Sequence, residues 1–436
     1  MYKIKCLGCG KKFPKDKYLI RCPNGCDALL RTEYKNKKLM IDENLPGLWK
    51  YINWLPVDSV NESTLQYSSN FFIRSGGKFA EHLGLKNLII CYNIYNSNKE
   101  YTMRTGTFKD IEAELSFQRI VNSSDAGKTL VVSSDGNIAT AFNYYSKVLK
   151  YPVLLVITEE ARQNRVWSHW DTNPYLYLIT LGGDSDYSDA INFSGLIGEY
   201  DDFIMEGGTR NVARRDGIGT ILLHTTMKLG HMPDHYFQAL GSGPGAIATY
   251  EAALRLKRDG RFGSKPPKIH ASQNYPFVPM YSAWKKDTKV IEEQFQSTEA
   301  KELIKQVYAH VLTNRYPQYS IEGGVCDVLR ETDGEFYSIT NEEARKAHKL
   351  FKKLETVDLA PPAAVTVASL IKAVKDEKVF DEDYILLNIT GGEAIENRFK
   401  TNRIKPSLQI NKKYDLNKVR SGVLKWKSNL SIKKYT

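Results

Sequence analysis

The chain lacks any apolar run approaching the roughly 20 residues that a membrane-crossing helix needs, which excludes a segment of that kind. Its opening, MYKIKCLGCG, carries no apolar stretch of signal-peptide length ahead of the first cysteines. Export by that route therefore has no support, and a cytoplasmic location is expected. Internal repeats and long low-complexity segments are absent as well, so the composition is that of an ordinary folded globular body. Acidic residues are in short supply: 50 against 61 basic ones leave a net charge of +11, much of it between Lys400 and Lys434. Such a bias suits nucleic acid, small anionic substrates or simply a solvated surface. The 26 tyrosines are scattered rather than interleaved with arginine in one patch, which argues against nucleic acid. A length of 436 residues supports a large core and admits two catalytic lobes plus a small appendage.

Cysteine is equally sparse beyond residue 26. Cys91, inside LIICY, and the isolated Cys326 read as small buried hydrophobes. The other four, Cys6, Cys9, Cys22 and Cys26, fall as C-x2-C-x12-C-x3-C. Thiolates two or three residues apart on a tight turn can point at one ion, and Gly10 suits the left-handed backbone of such a knuckle. Two disulfides or four free thiols would use the same residues, but a reducing compartment disfavours the disulfides. The spacing predicts a structural Zn2+ in a ribbon-like module over residues 1–34. With four protein ligands, that ion has no open position for a substrate.

After the cysteines, DALLRTEY leads into a connector containing Pro46 and Pro56, and the pattern then becomes α/β. β-rich apolar runs recur at 87–92, 129–133, 153–158, 175–181 and 384–389, with helix-length amphipathic segments between many of them. This alternation favours a mostly parallel sheet covered by helices on both faces. Residues 294–312 and 341–354 read as helices, the second capped at Thr340.

Three glycine-punctuated segments lie where a strand-like run meets a helix-like one. In TGTFKD, 105–110, Lys109 follows Phe108 at the mouth of a helical stretch. Desolvation there lowers an ammonium pKa, as a Schiff-base lysine requires, although most lysines are solvated surface groups. In VVSSDGN, 131–137, amides at the start of the next helix form an anion cradle suited to a carboxylate, and the Asn137 amide can donate to a phenolate-type oxygen. A plain turn capped by Ser133 or Asp135 would look the same. In ALGSGPGAI, 239–247, Gly241, Gly243 and Gly245 let the main chain wrap a phosphate at a helix N-terminus, or make an ordinary glycine turn. This segment is neither a Walker loop nor a complete G-x-G-x-x-G. A fourth segment, NITGGE at 388–393, places the Thr390 hydroxyl where it could approach a heterocyclic ring nitrogen.

Read in order, TGTFKD, SSDGN, GSGPGA and ITGGE resemble the signature of the fold type II pyridoxal-phosphate enzymes, the threonine synthase and cysteine synthase group. The order is more specific than any single motif. The resemblance implies an α/β fold of two open, twisted, mostly parallel sheet lobes: a larger cofactor-binding lobe over 35–90 and 190–436, and a smaller, mobile substrate-binding lobe over 91–189. It also implies pyridoxal 5′-phosphate on Lys109, with Asn137 at the cofactor 3′-oxygen and Thr390 facing the pyridine nitrogen. Gly241, Ser242, Gly243, Pro244, Gly245 and Ala246 would surround the cofactor phosphate. A neutral partner at the pyridine nitrogen favours elimination and replacement over transamination. A threonine synthase-like branch is similar over nearly the whole chain, including ALLRTEY at 28–34 and EGGTRNVARRDGIGT at 206–220. Two departures from the wider family, MRTGTFKD for the more usual PTGSFKD and Asp135 within the serine-glycine loop, fall beside the expected substrate pocket.

That branch implies β-replacement. Lys109 takes the α-proton, phosphate leaves O-phospho-L-serine, an aminoacrylate remains, and sulfite adds to give L-cysteate. Thr105, Ser133, Ser134 and Asp135 are the expected substrate contacts, and Arg104, Arg210, Arg214 and Arg215 the expected cations for its anionic groups. His224, His231 and His235 read as core or surface histidines. The expected partners are a small anionic amino acid and sulfite, and the resemblance suggests a homo-oligomer. Two rivals stand beside this reading. One is threonine synthase or another β- or γ-replacement enzyme on the same scaffold. The other is a zinc-ribbon nucleic-acid-binding protein, which the cysteines and the +11 charge would also suit.

Overall fold

The structure, a computed structural model, describes residues 1–95, 102–134, 136–392, 402–411 and 414–430. The N-terminal module is a three-stranded antiparallel sheet in which β1 (Tyr2–Cys6) lies between β2 (Lys12–Phe13) and β3 (Leu30–Tyr34). Period-two alternation buries Tyr2, Ile4 and Cys6 in β1, and Leu30, Thr32 and Tyr34 in β3. The module docks on the body through buried polar groups. Thr32 Oγ1 and the Tyr34 hydroxyl donate to the Asp216 carboxylate at 2.7 and 2.6 Å, and Arg255 meets the same carboxylate at 2.8 Å.

The body then lays down β4 (Phe72–Ser75), β5 (Leu88–Tyr92), β6 (Thr129–Ser133), β7 (Val153–Thr158), β8 (Leu176–Leu181), β9 (Phe203–Met205), β10 (His235–Ala239), β11 (Lys268–Asn274), β12 (Glu335–Ile339), β13 (Ile385–Ile389) and β14 (Leu408–Ile410). They form two sheets, ordered β12-β11-β10-β13-β5-β4 and β14-β8-β7-β6-β9. All pairings are parallel except that of β4 with β5. The five apolar runs read from sequence are β5, β6, β7, β8 and β13. Their near-continuous hydrophobicity reflects burial on both faces: Ile385 and Leu387 enter one core cluster while Leu386 enters the other.

Two features differ from expectation. Residues 294–312 form no single helix but a 3-10 turn at Glu293–Phe295, a helix at Ala300–Gln306 and a second turn at His310–Leu312. Tertiary partners take the backbone donors there, Tyr308 N–H going to Asn341 Oδ1 and Ala309 N–H to Asn274 Oδ1, each at 2.8 Å. The five-stranded sheet also recruits β9 and β14 from beyond 91–189, and the Leu416–Ser428 helix packs Val419 and Val423 on its core. β5, which spans residue 90, belongs wholly to the six-stranded sheet. A three-residue edge strand returning from the C-terminus leaves no periodic signature in one sequence. The Asn341–Glu355 helix does open at Thr340, in a capping box with Glu343. Among the described residues, no helix is long and apolar enough to cross a membrane.

Candidate active site

Parallel strands of both sheets end at one place, the position where open α/β sheets bind ligands. Lys109 opens the Lys109–Val121 helix, and its turn is tied to the end of β13: Phe108 N–H donates to the Thr390 carbonyl (3.1 Å), and Gly392 N–H to the Gly106 carbonyl (3.2 Å). Beyond β6, Ser134 Oγ accepts from the N–H groups of Gly136 (3.1 Å) and Ala139 (3.0 Å), capping the helix that begins at Asn137. β10 runs into the glycine loop and then into the 16-residue helix Pro244–Asp259.

These segments wall one cavity. Lys109, Ser134, Asn137, Gly241, Ser242, Gly243, Pro244 and Thr390 line it, and Gly245 and Ala246 lie in the first helical turn behind the loop. Asn137 and Val311 also line a neighbouring cleft of about 810 Å³, into which the cavity opens. Two of the glycines are sterically required. Gly243 sits at φ +89°, where an added Cβ would overlap Val325 Cγ2, and a Cβ on Gly245 would overlap the Gln238 amide. Asn314 Nδ2 donates to Ser242 Oγ at 2.6 Å and fixes the loop. Main-chain amides at the start of a long helix thus face the cavity, a setting that favours a phosphate.

Lys109 has 17% of its side chain exposed, and its Nζ lies 4.0 Å from the Phe108 ring centroid and 2.6 Å from Glu112 Oε1. Desolvation lowers its pKa, with Glu112 acting in the opposite direction. A phosphate cup, an amine with lowered pKa, an amide donor at Asn137 and a hydroxyl at Thr390 fit pyridoxal phosphate. The four sulfurs of Cys6, Cys9, Cys22 and Cys26 all lie within 4.8 Å of one another, with Cys9 and Cys22 3.8 Å apart. A tetrahedral site with Zn–S bonds of about 2.3 Å has edges of about 3.8 Å, so this donor set fits zinc.

The remaining sequence-derived candidates are dispersed. Thr105 lines the cleft, with its N–H and hydroxyl both on Asp110. Ser133 ends β6 off the cavity wall, and Asp135 lies outside the described residues. Of the four arginines, only Arg214 lines the cavity, and both Glu206 and Glu112 engage it. Arg104 is half-buried behind the wall, near Asp110. Arg210 pairs with Asp27 at 2.6 Å. Arg215 is fully buried against the N-terminal module, donating to Glu251 and to the Leu30 and Thr209 carbonyls. His224 and His235 bond to Tyr51 and His270, away from the cavity.

Sequence reasoning missed Glu112, Gln238 and Asn314. It also missed a basic cleft wall in which Arg345, His348, Lys349 and Lys352 share one face of the Asn341–Glu355 helix, with Arg165 also on the cleft. Their i, i+3, i+4, i+7 spacing was available as a signal.

A family model described as pyridoxal-phosphate dependent enzyme matches residues 98–391. The chain is similar to the cysteate synthase of Methanosarcina barkeri, 41% identical over 394 residues that make up 90% of this chain and 92% of that one. It is also similar to the cysteate synthase of Methanosarcina mazei, at 40% identity over 94% of this chain and 96% of that one. Among solved structures, the serine racemase of Dictyostelium discoideum shares the fold, with a TM-score of 0.51 and 18% identity over 76% of this chain and 95% of that one.

Proposed function

We propose, on the premise that this chain belongs to the cysteate synthase family of pyridoxal-phosphate-dependent enzymes, that it replaces the phosphate of O-phospho-L-serine with sulfite to form L-cysteate. The observation carrying this reading is the convergence of Lys109, Asn137, the glycine loop and Thr390 on one cavity. Bound pyridoxal phosphate supplies an electron sink for negative charge at the substrate α-carbon. The N–H groups of Gly241, Ser242, Gly243 and Gly245 would hold its phosphate, Asn137 Nδ2 would donate to its 3′-oxygen, and the Thr390 hydroxyl would face its ring nitrogen as a neutral partner. Lys109 Nζ anchors the cofactor and, once freed, moves the proton at the α-carbon. The amides that follow Ser134 orient the substrate carboxylate. Arg165, Arg345 and Lys349 on the cleft draw in the anionic amino acid and sulfite. Cys6, Cys9, Cys22 and Cys26 hold a structural Zn2+ that fixes the N-terminal module.

The test is product analysis. Protein reconstituted with the cofactor should be yellow and convert O-phosphoserine plus sulfite to cysteate, identified by mass spectrometry. Borohydride should fix the cofactor to the peptide containing Lys109. Threonine formed from O-phosphohomoserine without any cysteate would overturn the substrate assignment, and a colourless protein would overturn the cofactor assignment. Elemental analysis should find one zinc per chain, lost when Cys9 and Cys22 are replaced by serine.

A further inference from the structure

Lys109 is one end of a row of alternating charges. Its Nζ contacts Glu112 Oε1 one helical turn on, and Glu112 Oε2 is met by Arg214 Nη1 at 2.8 Å. Arg214 in turn uses Nε, at 3.1 Å, and Nη2 on Glu206. The side chains are 17, 0, 8 and 4% exposed in that order, so the row is nearly closed to water. A carboxylate as buried as Glu112 is tolerated only when paired, and one of its two partners is the amine that the proposed reaction must use.

The charges sum to zero while Lys109 carries its proton. Joining Nζ to an aldehyde forms a C=N bond and expels water, after which Nζ is either protonated and positive or unprotonated and neutral. In the neutral form the row holds a net buried negative charge. The other elements around Nζ cannot cancel it: Tyr187, Ser134, Asn137 and Thr390 line the cavity as neutral groups, and Asp110 is turned onto Thr105.

Resting on the function proposed above, we infer that Glu112 is a positioning residue that holds a proton on Lys109 Nζ, first in the covalent linkage and again once the released, neutral amine has taken the α-proton, with Arg214 setting the strength of that hold. Glu112 is fully buried and lines neither the cavity nor the cleft, so it reaches the site through Lys109 Nζ. It acts by stabilising the charged nitrogen, which strengthens the freed amine as the acceptor of the α-proton.

The experiment is a pH titration of the visible absorption of the holoenzyme. An opposite charge within reach moves a titration by about 1–3 pH units. In Glu112→Gln the midpoint for losing the linkage proton should fall by that amount, and in Glu112→Asp by less. The Gln variant should lose kcat with little change in KM. In Arg214→Gln, which leaves Glu112 uncompensated, the midpoint should move the opposite way, upward. Yellow Glu112→Gln with an unshifted midpoint would overturn the inference. If that variant fails to bind cofactor, an Arg214→Gln midpoint that stays or falls overturns it instead. Failure of the underlying function is a separate result, a wild-type protein with no cofactor on Lys109.

Discussion

Replacing Gly243 by alanine should strip the enzyme of most of its cofactor while leaving it folded. At φ +89° an L side chain costs about 1–2 kcal/mol. The new Cβ would also overlap Cγ2 of Val325, fully buried at the start of the Val325–Glu331 helix, and relieving such overpacking costs about 1–3 kcal/mol. The total of about 2–5 kcal/mol falls on phosphate binding if the loop shifts, since the loop rather than the sheet is free to yield. At about 1.4 kcal/mol per tenfold, cofactor affinity weakens by about 30- to 4,000-fold. Absorbance titration of stripped protein with pyridoxal phosphate gives the affinity, and urea melts give the fold. Val325→Ala empties the space that the new methyl needs, so the double variant should recover the overlap contribution and retain only the backbone one. The double-mutant cycle then shows a favourable coupling of about 1–3 kcal/mol. An alanine variant that binds cofactor within threefold of wild type, or a cycle without coupling, would refute this account of the loop.

Asp216→Ala strands the Arg255 charge and two hydroxyls of the N-terminal module, which should destabilise the protein by about 3–5 kcal/mol in urea melts and expose the first 34 residues to protease. Replacing Asp216 and Arg255 together by leucine and methionine should be milder, because no buried charge is left alone. Burial pushes the Glu114 carboxyl from 4.5 up to about 7, against hydrogen bonds from Ser69 and Trp49. Between those pH values the folded chain keeps a proton that the unfolded chain has lost, so this contribution to stability is full below pH 4.5 and disappears as pH rises through 7. Glu114→Gln should therefore remove up to about 1.4 kcal/mol per pH unit of slope, read from urea midpoints across that interval. Reversing charge on the cleft wall with Arg345→Glu and Lys349→Glu should lower kcat/KM for the anionic substrates and flatten its dependence on salt, leaving thermal stability nearly unchanged.

The core strands were legible because β5, β7 and β13 are buried on both faces and carry unbroken apolar runs. Two of the site segments, SSDGN and ITGGE, were legible because they directly follow the apolar strands β6 and β13. The glycine loop follows β10, whose HYFQA is no such run, and was legible from its glycines. The cations were not. Arg214 and Arg215 are neighbours on one helix and point about 100° apart, so only one can face the cavity, and spacing alone does not say which. The structure turns Arg214 inward and buries Arg215 against Leu30 and Glu251. Glu112 was visible three residues after Lys109, where it resembles any helical ion pair, and only its complete burial distinguishes it. The basic wall lies over 230 residues from Lys109 in the chain, and the fold alone brings it to the cleft.

The docking of the N-terminal module also sets an order on synthesis. β1, β2 and β3 can pair once residue 34 has left the ribosome, but Thr32 and Tyr34 have no Asp216 to meet until 182 to 184 further residues are made. The smaller sheet waits longer still, since β14 closes its edge 229 residues after β8. The nascent chain thus carries first an unfinished polar hub at its start and then a bare strand edge in its middle through long stretches of its translation. Aggregation competes with folding during that interval, and slower elongation prolongs the exposure.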